Sequence, residues 1–390
     1  MKSNFKDTVS FPSRFLGLRP DNPLLRAEKK FCPAKCVTKD DKIAFEVKYQ
    51  GQPETLFPEQ IYAAYLNKLR LIIQKNNFDN KSAVIAVPPY FTQAERKALL
   101  DAARIAELNV TRLLNESTAI ALDYGMFRKA DLDATNARNV LFVDFGHSKL
   151  SVFLCSFTNS EMNVLEQDYN RHVGCRDIDY HLYEFYRNLF ERTSGGCDLS
   201  ENRKAIVKLM EQIERQRKIL SGNSEHDLNI EYLMEENDLQ YTMKREKKKK
   251  ISEPIFHAVS DIFIKMREII KQKNINLHSI ELVGGGTRIP AFVNIVKTVF
   301  GIEASRTLNS SESVARGCAL MAAIKSPLFR VPDYALHEKV YYGVKFYWNF
   351  VEGEKFLGLN ASLYPEKQGK FIYEAGAKVP TSKTVKFSRK

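Results

Sequence analysis

Three consecutive glycines, Gly284-Gly285-Gly286, stand between the apolar run SIELV and a helical pattern opened by Pro290. No other stretch restricts the fold as much. A strand must stop there, the backbone must come close to whatever it faces, and the next helix must present free N–H groups at the same place. Such a corner suits an anion, and Arg288 can fork onto a phosphate or stack on a base. A tight turn without ligand is the other reading. No Gly-Lys-Ser/Thr follows, which excludes a P-loop. Arg288-Ile289-Pro290 replaces the spaced third glycine of a dinucleotide fingerprint.

A second corner lies in NVLFVDFGHSKLSVFLCSF (139–157), two apolar strands folded about Gly146-His147-Ser148. Asp144, closing the first strand beside a glycine turn, can hold a hydrated Mg²⁺ while backbone N–H groups meet phosphates. A plain hairpin turn needs the same residues. His147 reads as a turn residue, and Glu116 as a polar turn residue capping the helix that follows it.

Around these corners, strand and helix patterns alternate. KIAFEVKYQG (42–51) has the period of a half-buried strand. From Pro58 a helix places Ile61, Tyr65, Leu69 and Ile72 on one face. SAVIAVPPYF (82–91) is a β-branched run, and Thr92 with Glu95 forms a capping box for a helix over 92–108. NVTRLLNESTAIALDYG (109–125) reads as strand, polar turn and helix ending at Gly125. Residues 176–223 hold two helices broken at Gly195-Gly196. A β-meander then runs into the basic cluster Lys244, Arg245 and Lys247–Lys250, read as a solvated face. Helices follow at 253–274 and 311–324. After Pro332 the period becomes 2, as in a separate antiparallel β region.

A chain of 390 residues holds two or three domains. Its 59 Lys+Arg against 47 Asp+Glu give a net charge of +12, which admits a polyanion. No aromatic interleaving or reader motif accompanies the basic cluster, so nucleic acid is not expected. No apolar run is long enough to cross a bilayer, and the start lacks an apolar leader core. Six cysteines, at 32, 36, 155, 175, 197 and 318, are too sparse for a disulfide scaffold. Free thiols in a reducing compartment are expected.

In their order, these pieces resemble the nucleotide-binding domain of the 70-kDa heat-shock protein superfamily. AVPPYFTQAERKALLDAARIAELNVTRLLNESTAIALDYG (86–125), VGGGTRIP (283–290) with TLNSSESVARGCALMAAI (307–324), QIERQRKILS (212–221) and TVSFPSRFLGL (8–18) carry the match. The resemblance implies an α/β actin/hexokinase-like ATPase fold: two lobes of mixed sheet with helices, and ATP or ADP with Mg²⁺ in the cleft. It implies that Glu116 and Asp144 position water and Mg²⁺, Asp144 through water. Gly146, Gly174, Glu214, Arg217, Lys218, Ser221, Gly284, Gly285 and Arg288 would hold nucleotide. The turn Asp144-Phe145-Gly146-His147-Ser148 and the segment SPLFRVPDYALHEK (326–339) are similar to the 110-kDa branch, whose members act as nucleotide-exchange factors for a 70-kDa chaperone.

The departures from the family pattern are equally specific. Ser13 stands for the catalytic Lys, Ser117 for a Pro, Lys149 for the Thr of the phosphate turn and Ser151 for an Asp. Cys175 stands for a Gly and Ser311 for another Asp. The family's first phosphate hairpin would precede this chain's start. Each charge-assisted hydrogen bond contributes about 1.5–3 kcal/mol, so losing a hairpin and a lysine weakens phosphate binding by orders of magnitude. ATPase activity is therefore expected to be weak or absent.

The resulting expectation is a co-chaperone of the 110-kDa type in the cytoplasm, or also the nucleus. It would bind adenine nucleotide and serve a 70-kDa chaperone, with unfolded polypeptide as a further partner and no membrane. An ATP-hydrolysing chaperone and a truncated copy without independent activity are the alternatives. Residues 1–138 would form an incomplete first lobe and 139–326 the second, with 173–253 as its outer part. Residues 327–339 would be a linker, and 340–390 the truncated start of a β-sandwich substrate-binding domain. The first lobe should show an unpaired strand edge and exchange amide hydrogens faster than the second.

Overall fold

The computed structural model describes residues 4–76, 82–348, 368–379 and 382. Helical turns at Phe5–Asp7 and Pro12–Arg14 lead to helix α1 (Pro23–Lys29). An antiparallel meander follows, of β1 (Lys35–Lys39), β2 (Lys42–Tyr49) and β3 (Gln52–Leu56). Alternation in β2 sends Ile43 and Phe45 inward, onto Phe15, Leu18 and Leu25.

Helix α2 (Pro58–Lys75) forms as expected, but its buried side is not the expected one. Ala63 and Leu66 are covered, whereas Tyr65, Leu69 and Ile72 are 52%, 39% and 48% exposed. The cause is the neighbour: α2 packs Ala63 and Leu66 onto Ala102, Ala103 and Ala106, where small side chains permit close approach. Those alanines lie on and just beyond α3 (Gln93–Ile105), the connection between β4 (Ser82–Val87) and β5 (Asn109–Asn115). Thr92 and Glu95 make the capping box. The strands β4 and β5 form a two-stranded parallel sheet, so each leaves one edge unpaired among the described residues. No polar turn follows β5. It passes directly into α4 (Glu116–Phe127), which continues beyond Gly125.

Helix α4 is buried nearly all round, because it belongs to the core of the next unit as well. That unit begins with the meander β6 (Arg138–Phe145), β7 (Leu150–Phe157) and β8 (Glu161–Asn170). Helices α5 (Cys175–Thr193) and α6 (Arg203–Ile219) follow, then a hairpin of β9 (Glu225–Met234) and β10 (Asn237–Lys244). The basic cluster coils into α7 (Arg245–Ile251), and there Lys248 is only 3% exposed, against the solvated face expected. The chain continues through α8 (Glu253–Gln272), β11 (Ser279–Val283), α9 (Pro290–Phe300) and α10 (Ser313–Lys325).

Both faces of the central strands β6 and β7 are covered, which is why these two read as continuous apolar runs. Leu141, Val143 and Phe145 of β6 face a core built with α5, α6, α8 and α9. Val140 and Phe142 face the other way, onto α4 and α10. The architecture is the mixed α/β arrangement expected.

The segment read as a linker ends in β12 (Ala335–Lys339), which pairs in parallel with β8 through Ala335↔Glu161, Leu336↔Met162 and His337↔Asn163. A six-stranded sheet results, in the order β11-β6-β7-β8-β12-β15. Strand β13 (Val344–Trp348) pairs with β14 (Gln368–Tyr373), and β15 (Lys378–Val379) with β12. The strands expected over 354–365 and 383–390 lie outside the described residues. No helix of the described residues is long and apolar enough to cross a membrane.

Candidate functional site

Several loops converge on the carboxyl end of β6. The turn after Phe145 is closed by the Gly146 amide donating to the Lys149 carbonyl at 3.0 Å. Gly174 caps α5 directly on that turn: a Cβ there would come within 2.5 Å of the His147 carbonyl oxygen. The Arg176 amide donates to the same oxygen at 2.8 Å. Gly284, at φ +87°, lies against the Phe145 carbonyl from the other side.

The glycine triplet therefore has two uses. Gly284 and Gly286 are required because backbone and Phe145 leave no room for a side chain, which is the tight-turn reading. Gly285 meets nothing within 4 Å, and it faces open space with Arg288 exposed nearby on the same loop. Cys175 stands beside Gly286, and burial pushes its thiol up to about 11, so it is a neutral filler.

Helix α6 supplies the other wall. His147 at the turn lies in the electrostatic reach of Glu214, Arg217 and Lys218. Arg217 is buried and forks onto Asp179, with Nε–Oδ1 at 2.6 Å and Nη2–Oδ2 at 3.1 Å. Lys218 pairs with Glu214 at 2.7 Å on the exposed side, and the Ser221 hydroxyl donates to the Arg217 carbonyl. The structure thus brings Gly146, Gly174, Gly284 and the α6 residues to one corner. It also commits the Arg217 guanidinium to a carboxylate of its own.

Lys149 determines what the corner can do. Its ammonium lies 2.7 Å from Asp144 Oδ2 and 2.5 Å from Glu116 Oε2. Burial works to discharge it, but the two carboxylates win and hold it charged well above the ordinary lysine range. A cavity of about 140 Å³ adjoins it, lined by Ser13, Tyr62, Pro88, Tyr90, Glu116 and Lys149 among others. Asp144 and Glu116 were the residues expected to position a hydrated Mg²⁺. With an ammonium already between them, they do not fit a divalent ion. Among the described residues no group of three or more His, Cys, Asp or Glu side chains could hold a metal.

A buried ionic seam beside the corner had no counterpart among the expected site residues. Glu28 of α1 accepts from Arg14 at 2.5 Å and from Arg176 of α5 at 2.7 Å. Burial would raise its carboxyl, yet Arg176 and Arg14 hold it below the usual range. Arg14 also donates to the Tyr90 hydroxyl and the Arg171 carbonyl, and Arg171 pairs with Glu95 at 3.2 Å. Arg14 stood in a motif, but nothing local marks Glu28, whose partner Arg176 lies 148 residues away.

Comparison with known proteins bears on the same stretches. The family described as Hsp70 protein matches residues 1–368. The chain is 36% identical over 357 residues to a 97 kDa heat shock protein of Strongylocentrotus purpuratus, covering 90% of this chain and 40% of that one. It is 36% identical over 355 residues to heat shock protein 110 of Caenorhabditis elegans, 89% of this chain and 46% of that one. Against heat shock 70 kDa protein 14 of Arabidopsis thaliana it is 33% identical over 388 residues, 99% and 46%. The chain spans about half the length of such relatives.

Proposed function

The chain belongs to the Hsp70 protein family, and from that premise we propose that it is a co-chaperone of the 110-kDa type. In this reading it holds adenine nucleotide in the corner at the end of β6 and accelerates nucleotide exchange on a 70-kDa chaperone. Unfolded polypeptide is a further partner, and the cytoplasm, with the nucleus, is its place of work.

The phosphate turn carries the reading. Ser13 stands where the family has its catalytic Lys, and the Lys149 ammonium lies between Asp144 and Glu116. Phosphoryl transfer needs a placed water, a metal and the terminal phosphate together. A corner that occupies its own carboxylates is poorly built for that step. Gly285, Arg288, Glu214 and Lys218 remain exposed or partly exposed around it, and a nucleoside can still contact them. The relatives named for the 97 and 110 kDa proteins support the same branch.

The test is a release assay. A 70-kDa chaperone is loaded with fluorescent ADP and mixed with the chain at increasing concentration. Release that quickens with concentration supports the proposal, and release at the spontaneous rate throughout would sink it. ATP turnover by the chain alone should stay at the level of a Gly284→Val/Gly285→Val double variant.

A further inference from the structure

We infer that Lys149 is the resident cation of this corner, so that adenine nucleotide binds here without Mg²⁺. The inference rests on the nucleotide reading above but is carried by its own geometry. An ammonium has three N–H donors. One is donated to Asp144 Oδ2, and Glu116 Oε2 stands at ion-pair distance, 2.5 Å, which leaves at least one for a ligand oxygen.

The side chain is 14% exposed, so the charge is neither screened by bulk water nor free to leave. The adjoining cavity of about 140 Å³ is too small for a whole nucleotide and large enough for one phosphate group with water. A divalent ion entering it would meet a fixed positive charge within a few ångströms, and both candidate carboxylates would already be engaged. The tether also removes a requirement. A metal must be captured from solution, whereas Lys149 is present whenever the chain is folded.

Calorimetry of the full chain with ADP, in Mg²⁺ and in EDTA, tests this directly. The two affinities should agree within about twofold, and weakening by about tenfold or more in EDTA would overturn the inference. A second arm needs no nucleotide: electron spin resonance of Mn²⁺ titrated into the chain. Wild-type protein should leave the Mn²⁺ signal free, and binding that disappears in Asp144→Asn would overturn it.

Lys149→Thr should gain both Mn²⁺ binding and about tenfold Mg²⁺ dependence of ADP affinity, while Lys149→Arg stays indifferent to metal. A Lys149→Thr protein that melts cooperatively and still ignores Mn²⁺ counts against the inference. If that variant does not fold, the wild-type and Lys149→Arg titrations decide. No ADP binding under any condition would defeat the nucleotide reading, and the Mn²⁺ arm then decides the role of Lys149 by itself.

Discussion

Helices α2 and α8 are similar in length, 18 and 20 residues, and each repeats apolar side chains at three- and four-residue steps. In α8 that face buries Ile255, Phe256, Val259, Phe263, Met266 and Ile270. In α2 only Pro58, Ala63 and Leu66 are covered, and the larger Tyr65, Leu69 and Ile72 look outward. The surroundings make the difference. Helix α8 lies on a sheet inside one cluster of 34 buried apolar residues. Among the described residues, those before 128 form clusters of only six, six and five, apart from Leu114 and α4, whose buried residues join the second unit's core. A periodic pattern specifies which face of a helix seeks cover, and only another layer can provide it. Each large apolar side chain left out forgoes about 1.5–3 kcal/mol, so the first region should be much the weaker.

Hydrogen exchange tests this contrast most strongly. Amides of α2, β4 and β5 are expected to exchange about a thousandfold faster than those of β6, β7 and β11, a gap of about 4 kcal/mol. Equal, slow exchange in both would mean that the first region is closed by contacts other than those described.

The next largest effect concerns Glu28, which fastens the first region to Arg176 of the second. Glu28→Gln should cost about 3 kcal/mol in urea unfolding near neutral pH, because Arg14 and Arg176 would stay buried without their counter-charge. The wild-type carboxyl is held below its ordinary 4.5, so its contribution is present above that pH. It is lost as pH falls through the folded value, and the variant should lack this acid-side slope.

In the second region, Lys248 is a defect that a large core can carry. Burial pushes its ammonium from 10.5 down to about 8, and its Nζ has no hydrogen-bond partner. Between those values the unfolded chain binds the proton more than the folded one does. Wild-type stability should therefore rise from pH 8 to 10.5, the penalty being complete below 8. Lys248→Met should gain about 2 kcal/mol at pH 7 and flatten that rise.

The smallest effect belongs to α2: Leu69→Ala should shift stability by less than about 0.5 kcal/mol, as at an ordinary surface position. A loss of about 2 kcal/mol or more would show that the α2 face is covered in solution.

Features set by neighbours in the chain were legible in the sequence. The capping box of Thr92 and Glu95 lies within a single helical turn, and the hairpin of β6 and β7 closes over a short turn whose apolar strands declare themselves. The glycine triplet was legible as a corner, though only the structure separates Gly284, needed for packing, from Gly285, which is not. Lys149 was visible as a departure, but its two carboxylates lie on different elements, β6 and α4, and no spacing rule joins them. Lys248 was misread because an unbroken run of lysines looks solvated, while a helix turns one residue of each turn inward. Strand β12 was read as part of a linker because its partner β8 lies far back in the chain, beyond any local signal.

That last pairing also fixes an order of events. Glu338 of β12 accepts from Arg112, Asn115 and Thr118, at the junction of β5 and α4. Thr118 and Glu338 are separated by 220 residues. During synthesis at about 5–20 residues per second, roughly 10–45 s pass between the emergence of these two side chains. For that interval the junction exists without its acceptor, and the outer edge of β8 without its neighbour. The nascent chain can complete the meander β6–β8 and the Glu28–Arg176 contact early, while the polar contacts of the β5–α4 junction wait until β12 is made. Strand β12 is thus the clock for the β5–α4 junction.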